Sequence, residues 1–151
     1  MKNTSLCYLE ENGKYLMLHR VKKKNDENQD KWIGIGGKFE DKESPFDCAR
    51  REIYEETGLC ARSLEYRGIV TFISDVYPTE YMHLFTCSDF TGKIKDECDE
   101  GELLWVDKDK IESLTIWEGD KIFLNLLKNS HPFFSLKLEY CKENLTSYTL
   151  E

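Results

Sequence analysis

Three glutamates, Glu52, Glu55 and Glu56, stand at i, i+3 and i+4 in the stretch SPFDCARREIYEETGL. On a helix that spacing puts all three carboxylates on one face. Grouped carboxylate oxygens are the ligands that a hard divalent cation such as Mg²⁺ or Mn²⁺ takes, and the backbone carbonyl of Gly37 offers one more oxygen. A solvated acidic face is the alternative for any three glutamates on a helix. Two features weigh against it. Glu55 and Glu56 fall near the helix C-terminus, where the dipole disfavours negative charge by about 0.3–1 kcal/mol each. Gly36-Gly37 follows the apolar run Trp32-Ile33-Gly34-Ile35, which reads as a turn from strand toward helix whose carbonyls can approach an ion.

The helix that positions these groups is expected over 45–57. Ser44 suits the N-cap, Pro45 the first turn and Asp47 the third position of a capping box, while Gly58 suits the left-handed stop. Phe46, Ala49 and Ile53 form a buried stripe beside the acidic one. Upstream, Asn12-Gly13 predicts a hairpin between strands at 4–11 and 14–21. The polar segment 22–31 is either a solvated connection or a lid. Downstream, strands are expected at 64–76, 81–90 and 103–106. A second helix at 118–128 should cover the opposite sheet face, and two tail strands are expected at 133–140 and 145–150.

Composition bounds the partners. At 151 residues the chain is expected to be a single domain, 1–151, burying roughly 70% of its unfolded surface. A net charge of −8 argues against a nucleic-acid polymer, whose backbone needs a basic footprint. It leaves room for a small phosphate substrate bridged by metal. Six cysteines with no C-x-x-C spacing, no secretory leader and no span-length apolar run predict reduced thiols, a cytoplasmic location and no membrane partner. The chain is expected to be a monomer or weak homodimer. His19, His83 and His131 show no metal-ligand spacing.

Gly37, five residues, Glu43, seven residues, then Arg51-Glu52-Ile53-x-Glu55-Glu56-x-Gly58-Leu59 fills every fixed position of the signature that it resembles, that of the Nudix hydrolases. These enzymes cleave nucleoside diphosphates linked to another group. The resemblance implies an α/β fold, an α/β/α sandwich with a mixed sheet between helices. It also implies Mg²⁺ or Mn²⁺ as cofactor and a nucleotide as small-molecule partner. Glu52, Glu55 and Glu56 are then metal ligands. Arg51 orients a carboxylate, Glu43 fixes the loop or that arginine, and Lys38 either contacts phosphate or stands on the surface. In this family a glutamate from the loop before the last core strand completes the metal site or acts as base; within KDECDEGE the candidate is Glu100, with Asp99 and Glu102 as rivals.

Over almost the whole chain the sequence is similar to the oxidised-purine triphosphate diphosphatases, the MutT type and its mammalian relatives. The matching points are Lys31-Trp32, Gly34-x-Gly36-Gly37-Lys38, Trp117 followed by Asp120, and Ser147-Tyr148-Thr149-Leu150. The resemblance gives Trp117 the stacking role and Asp120 the base edge; the alternative for Trp117 is core packing at the helix start. Two positions depart from that group. Ile33 replaces a base-contacting asparagine, and Gly119 replaces the first of two acidic residues. The activity implied is hydrolysis of purine triphosphates such as 8-oxo-dGTP to monophosphate and pyrophosphate. Tyr77 raises a dinucleoside polyphosphate as alternative substrate, and a non-catalytic nucleotide sensor or an interaction protein would keep the fold without turnover.

Overall fold

The computed structural model describes residues 1–22, 26–95 and 98–151. Lys23, Lys24 and Asn25 of the polar segment, and Asp96 and Glu97 of the acidic one, lie outside the described residues. The chain runs β1 (Lys2–Glu11), β2 (Lys14–His19), β3 (Trp32–Ile33), β4 (Ile35–Lys38), α1 (Pro45–Thr57), β5 (Cys60–Ser74), β6 (Glu80–Thr91) and β7 (Glu102–Asp107). A 3₁₀ turn (Lys108–Ser113), α2 (Glu118–Lys128), β8 (Phe134–Cys141) and β9 (Asn144–Leu150) follow.

The sheet is mixed. β1 pairs in parallel with β6, and β5 with β8, whereas β1–β2, β1–β4, β2–β7, β5–β6 and β8–β9 are antiparallel. Asn12 and Gly13 turn the first hairpin at φ 52° and 76°, the left-handed pair a tight two-residue turn requires. Alternation along β1 divides the core. Leu6 and Tyr8 face one cluster, with Phe123, Leu124 and Leu127 of α2, while Cys7 and Leu9 face another, with Ala49 and Ile53 of α1. The two helices therefore cover opposite faces, giving the α/β/α layers.

One local expectation is corrected. Gly36-Gly37 is not a turn but part of β4, paired with Leu6 and Ser5 of β1. Glycine is needed there because of close approach: a Cβ on Gly36 would collide with the Ser5 carbonyl, and one on Gly37 would lie 2.6 Å from the Glu52 carboxylate. Helix α1 begins with a reciprocal capping box, Ser44 Oγ accepting from the Asp47 amide (3.1 Å) and Asp47 Oδ2 from the Ser44 amide (3.0 Å). It stops at Gly58, φ 82°. That fixes the rotation of the acidic face against β4.

Candidate active site

Arg51 is the hub of the α1 carboxylates. Its Nε and Nη2 grip the two oxygens of Glu43 (2.7 and 2.9 Å), and Nη1 donates to Glu52 Oε1 (2.8 Å) and Glu55 Oε2 (3.1 Å). Nη2 also donates to the Lys38 carbonyl at 2.9 Å. Hydrogen bonding to Glu43 raises the guanidinium's pKa, and the same bond holds Glu43 below its ordinary range. Glu43 Oε1 further accepts from the Glu40 amide (2.7 Å), so this side chain ties the loop as well as the arginine.

Glu56 lies deeper, 7% exposed, with its Oε2 accepting from the Gly36 amide at 3.1 Å. Burial first, then the hydrogen bond and charge of Glu100 and the charge of Glu52, push its pKa up to about 11. Such a carboxyl keeps a proton until a cation takes the proton's place. Burial also raises Glu52, against the pull of Arg51. Among the described residues no three His, Cys, Asp or Glu side chains form a ready metal cage, and Glu52 and Glu55 are engaged by Arg51. The donor types still suit a hard divalent cation: carboxylate oxygens grouped on one helix face, one of them a buried carboxyl that must find positive charge or a proton.

Glu100 joins this group from the turn before β7. Its Oε2 accepts from Arg20 Nη1 (2.9 Å), and Arg20 Nε donates to Asp26 Oδ2 (2.7 Å). The buried Arg20 thus straps the polar segment to the acidic turn. Glu100 lines a cavity of about 620 Å³ with Gly37, Lys38, Arg51 and Glu52, whereas Asp99, Glu102, Glu55 and Glu56 are not in its wall.

The same cavity is walled by Ile33, Trp117 and Asp120, together with Phe72, Tyr77, Met82 and Tyr140. Trp117 occupies the N-cap position of α2 and meets Phe72 and Tyr140 edge-on, at 5.7 and 5.2 Å between centroids. Its Nε1 donates to Asn28 Oδ1 at 2.8 Å, and Lys31 Nζ sits 4.3 Å from the ring centroid while pairing with Glu143 (3.0 Å). Core packing and a place in the cavity wall are both true of this residue. Asp120, also 7% exposed, makes no side-chain hydrogen bond among the described residues, and burial, with the charge of Glu80 second, pushes it up to about 8. At Gly119 a Cβ would meet Leu138 and the Tyr140 hydroxyl at 2.5–2.6 Å, so no acidic side chain fits there without a shift.

Residues 2–127 match the NUDIX domain. The chain belongs to that family and is a Nudix hydrolase. It is 30% identical over 156 residues to the Nudix hydrolase YvcI of Bacillus subtilis, covering 100% of this chain and 95% of that protein. It is 34% identical over 105 residues to the oxidized purine nucleoside triphosphate hydrolase of Danio rerio, covering 68% and 66% respectively. The crystal structure of the MutT protein from Bacillus halodurans superposes with a TM-score of 0.89 at 25% identity, over 100% of this chain and 98% of that one. Nudix hydrolases generally use divalent metals, which agrees with the oxygen-rich donor set. No helix among the described residues is long and apolar enough to cross a membrane.

Sequence reasoning did not single out Arg20, Asn28 or Glu80. Arg20 carries a signal, a cation closing the apolar run YLMLH. Asn28 and Glu80 carry none, because their places in the cavity wall depend on strand and loop neighbours distant in sequence.

Proposed function

We propose that this Nudix hydrolase converts purine nucleoside triphosphates, oxidised ones such as 8-oxo-dGTP among them, to the monophosphate and pyrophosphate. One observation carries the reading: a single cavity is walled both by the Arg51–Glu52–Glu100 group and by Trp117 and Asp120. The names of the relatives, oxidized purine nucleoside triphosphate hydrolase and MutT, support it. Glu52, Glu55, Glu56 and Glu100 with the Gly37 carbonyl would hold the ion. Mg²⁺ or Mn²⁺, when bound, supplies neutralisation of the phosphate oxygens and a lower pKa for the attacking water.

The chain's own residues do the rest. Arg51 keeps Glu52 and Glu55 turned toward one point, and Lys38 offers a cation to the phosphates. Glu100, held by Arg20, would add an oxygen to the ion or take the water's proton. Trp117 provides an aromatic face for the base, Ile33 an apolar side, and Asp120 a polar edge. Water adds at a phosphorus within the anhydride and gives up its proton, the α–β bridging P–O bond breaks, and monophosphate and pyrophosphate separate. Incubation with 8-oxo-dGTP, dGTP and diadenosine tetraphosphate in Mg²⁺, with product identification, tests the reading. Monophosphate and pyrophosphate from the purine triphosphates are expected; exclusive cleavage of the dinucleoside substrate would replace them with the alternative suggested by Tyr77, which also lines the cavity.

A further inference from the structure

Strand register places a second carboxylate in the cavity wall that holds Asp120. Glu80 opens β6, and its pairing partners are Lys2 on β1 and Phe72 on β5. Alternate residues of a strand share a face, so Glu80 lies with Met82 and Phe72 toward α2, and all three line the cavity with Asp120. Its carboxylate is fixed: Oε2 accepts from Thr4 Oγ1 at 2.7 Å, and Oε1 lies 3.4 Å from Lys2 Nζ. Lys2 is itself held by Glu27 at 3.1 Å, so the Glu80 side chain is braced from β1 and from the polar segment.

A carboxylate offers about four lone-pair sites, and two contacts leave Glu80 with acceptor capacity in the cavity wall. Asp120 is nine-tenths buried, lines the same wall, and has no side-chain hydrogen bond among the described residues. Its carboxylate oxygens are not sealed off, since they keep access to the cavity, so they are open to a ligand there. Gly119 bears no side chain, and Ile33 has neither donor nor acceptor to give. Glu80 is a fixed carboxylate in the same wall, near enough for its charge to act on Asp120.

Building on the proposed purine triphosphate activity, we infer that Glu80 is a specificity-determining residue: with Asp120 it reads the edge of a purine held at Trp117, accepting from a ring N–H. That geometry favours purines carrying a lactam N–H, such as guanine and its 8-oxo form or 2-oxoadenine, over adenine, whose corresponding ring nitrogen accepts. The charge on Glu80 makes the bond a strong one, and its brace by Thr4 and Lys2 means little ordering is needed when the base arrives.

The test is kcat/KM for dGTP, 8-oxo-dGTP, 2-oxo-dATP and dATP in wild type, Glu80→Gln, Glu80→Asp and Thr4→Val. Wild type should prefer the lactam purines. Glu80→Gln should reduce that preference by about tenfold or more, chiefly through KM, because a charge-assisted bond is lost. Glu80→Asp should recover part of it. Thr4→Val, which removes only the brace, should reduce the preference by a smaller factor and keeps the question answerable if Glu80→Gln does not fold. Equal losses on all four substrates, or a wild-type preference for dATP, would overturn the role of Glu80 while leaving triphosphate hydrolysis intact. No turnover of any purine triphosphate by wild type would instead remove the proposed function, and this inference with it.

Discussion

The carboxylate end of the cavity and the end proposed to receive the base are built in opposite ways. At the first, Gly37, Glu43, Arg51, Glu52, Glu55 and Glu56 come from one window of chain, and Arg51 gathers Glu43, Glu52 and Glu55 into a network of charge-assisted bonds. At the second, Ile33, Phe72, Glu80, Met82, Trp117, Asp120 and Tyr140 come from five separate elements or their edges, and Asp120 has no side-chain hydrogen bond among the described residues. The first needs only a helix with its ends fixed; the second needs the sheet register to be right. On the proposed function, the chemistry rests on a rigid local element and the selectivity on side chains that can change independently.

Breaking the first end should give the largest effect. Glu56→Gln keeps a good helix former and removes the buried carboxyl, so kcat should fall by about 10²-fold or more, roughly 2.7 kcal/mol of barrier. Because burial favours the neutral form of Glu56, which glutamine mimics, the Tm of the metal-free variant should not fall. What should disappear is stabilisation by Mg²⁺, worth about 2.7 kcal/mol at a hundredfold excess over Kd. Wild-type turnover by a folded variant would break the contrast at its strong end.

Trp117→Ala comes next and should behave differently. A side chain 7% exposed and packed on Phe72 and Tyr140 should cost about 3–5 kcal/mol of stability when truncated. Trp117→Phe separates recognition from packing: it keeps a ring but loses the Nε1–H bond to Asn28, and it should raise KM with little change in kcat. Equal loss of kcat and kcat/KM in Trp117→Phe would mean that the two ends do not divide the labour.

Both ends should also answer to pH, with the sign set by raised carboxyl pKa values. Each group binds its proton more tightly when folded than unfolded, so each stabilises most at low pH. Its contribution is lost as pH rises from the ordinary value, 3.8 for Asp120 and 4.5 for Glu56, through about 8 and about 11 respectively. Calorimetry in buffers of different ionisation enthalpy should register proton release when Mg²⁺ binds. The ratio of kcat/KM among purines should change as pH passes through about 8 and should flatten in Asp120→Asn. The smallest effect belongs to Lys31→Met, which removes the cation over Trp117 and should weaken nucleotide binding by about 0.5–1 kcal/mol without altering metal affinity.

The same contrast explains what could be read from the sequence. Helix α1 was legible to the residue because caps, period and glycine stop are local signals, and the Asn12-Gly13 hairpin and α2 were legible for the same reason. Gly36-Gly37 misled, because two glycines signal a turn locally whereas their need here comes from β1 and Glu52 pressing on β4. Lys108–Ser113 shows no helical period long enough to predict a 3₁₀ turn. Glu80 was invisible, since an acid after Pro78-Thr79 looks like a turn residue until β6 is laid in parallel beside β1.

The most direct measurement of the central claim, that one cavity serves both metal chemistry and base recognition, is product-resolved hydrolysis of dGTP and 8-oxo-dGTP with Mg²⁺ by wild type, Glu56→Gln and Trp117→Phe in parallel. Wild type should yield monophosphate and pyrophosphate, Glu56→Gln should lose kcat, and Trp117→Phe should raise KM. Release of orthophosphate alone, or the same kinetic change in both variants, would contradict it.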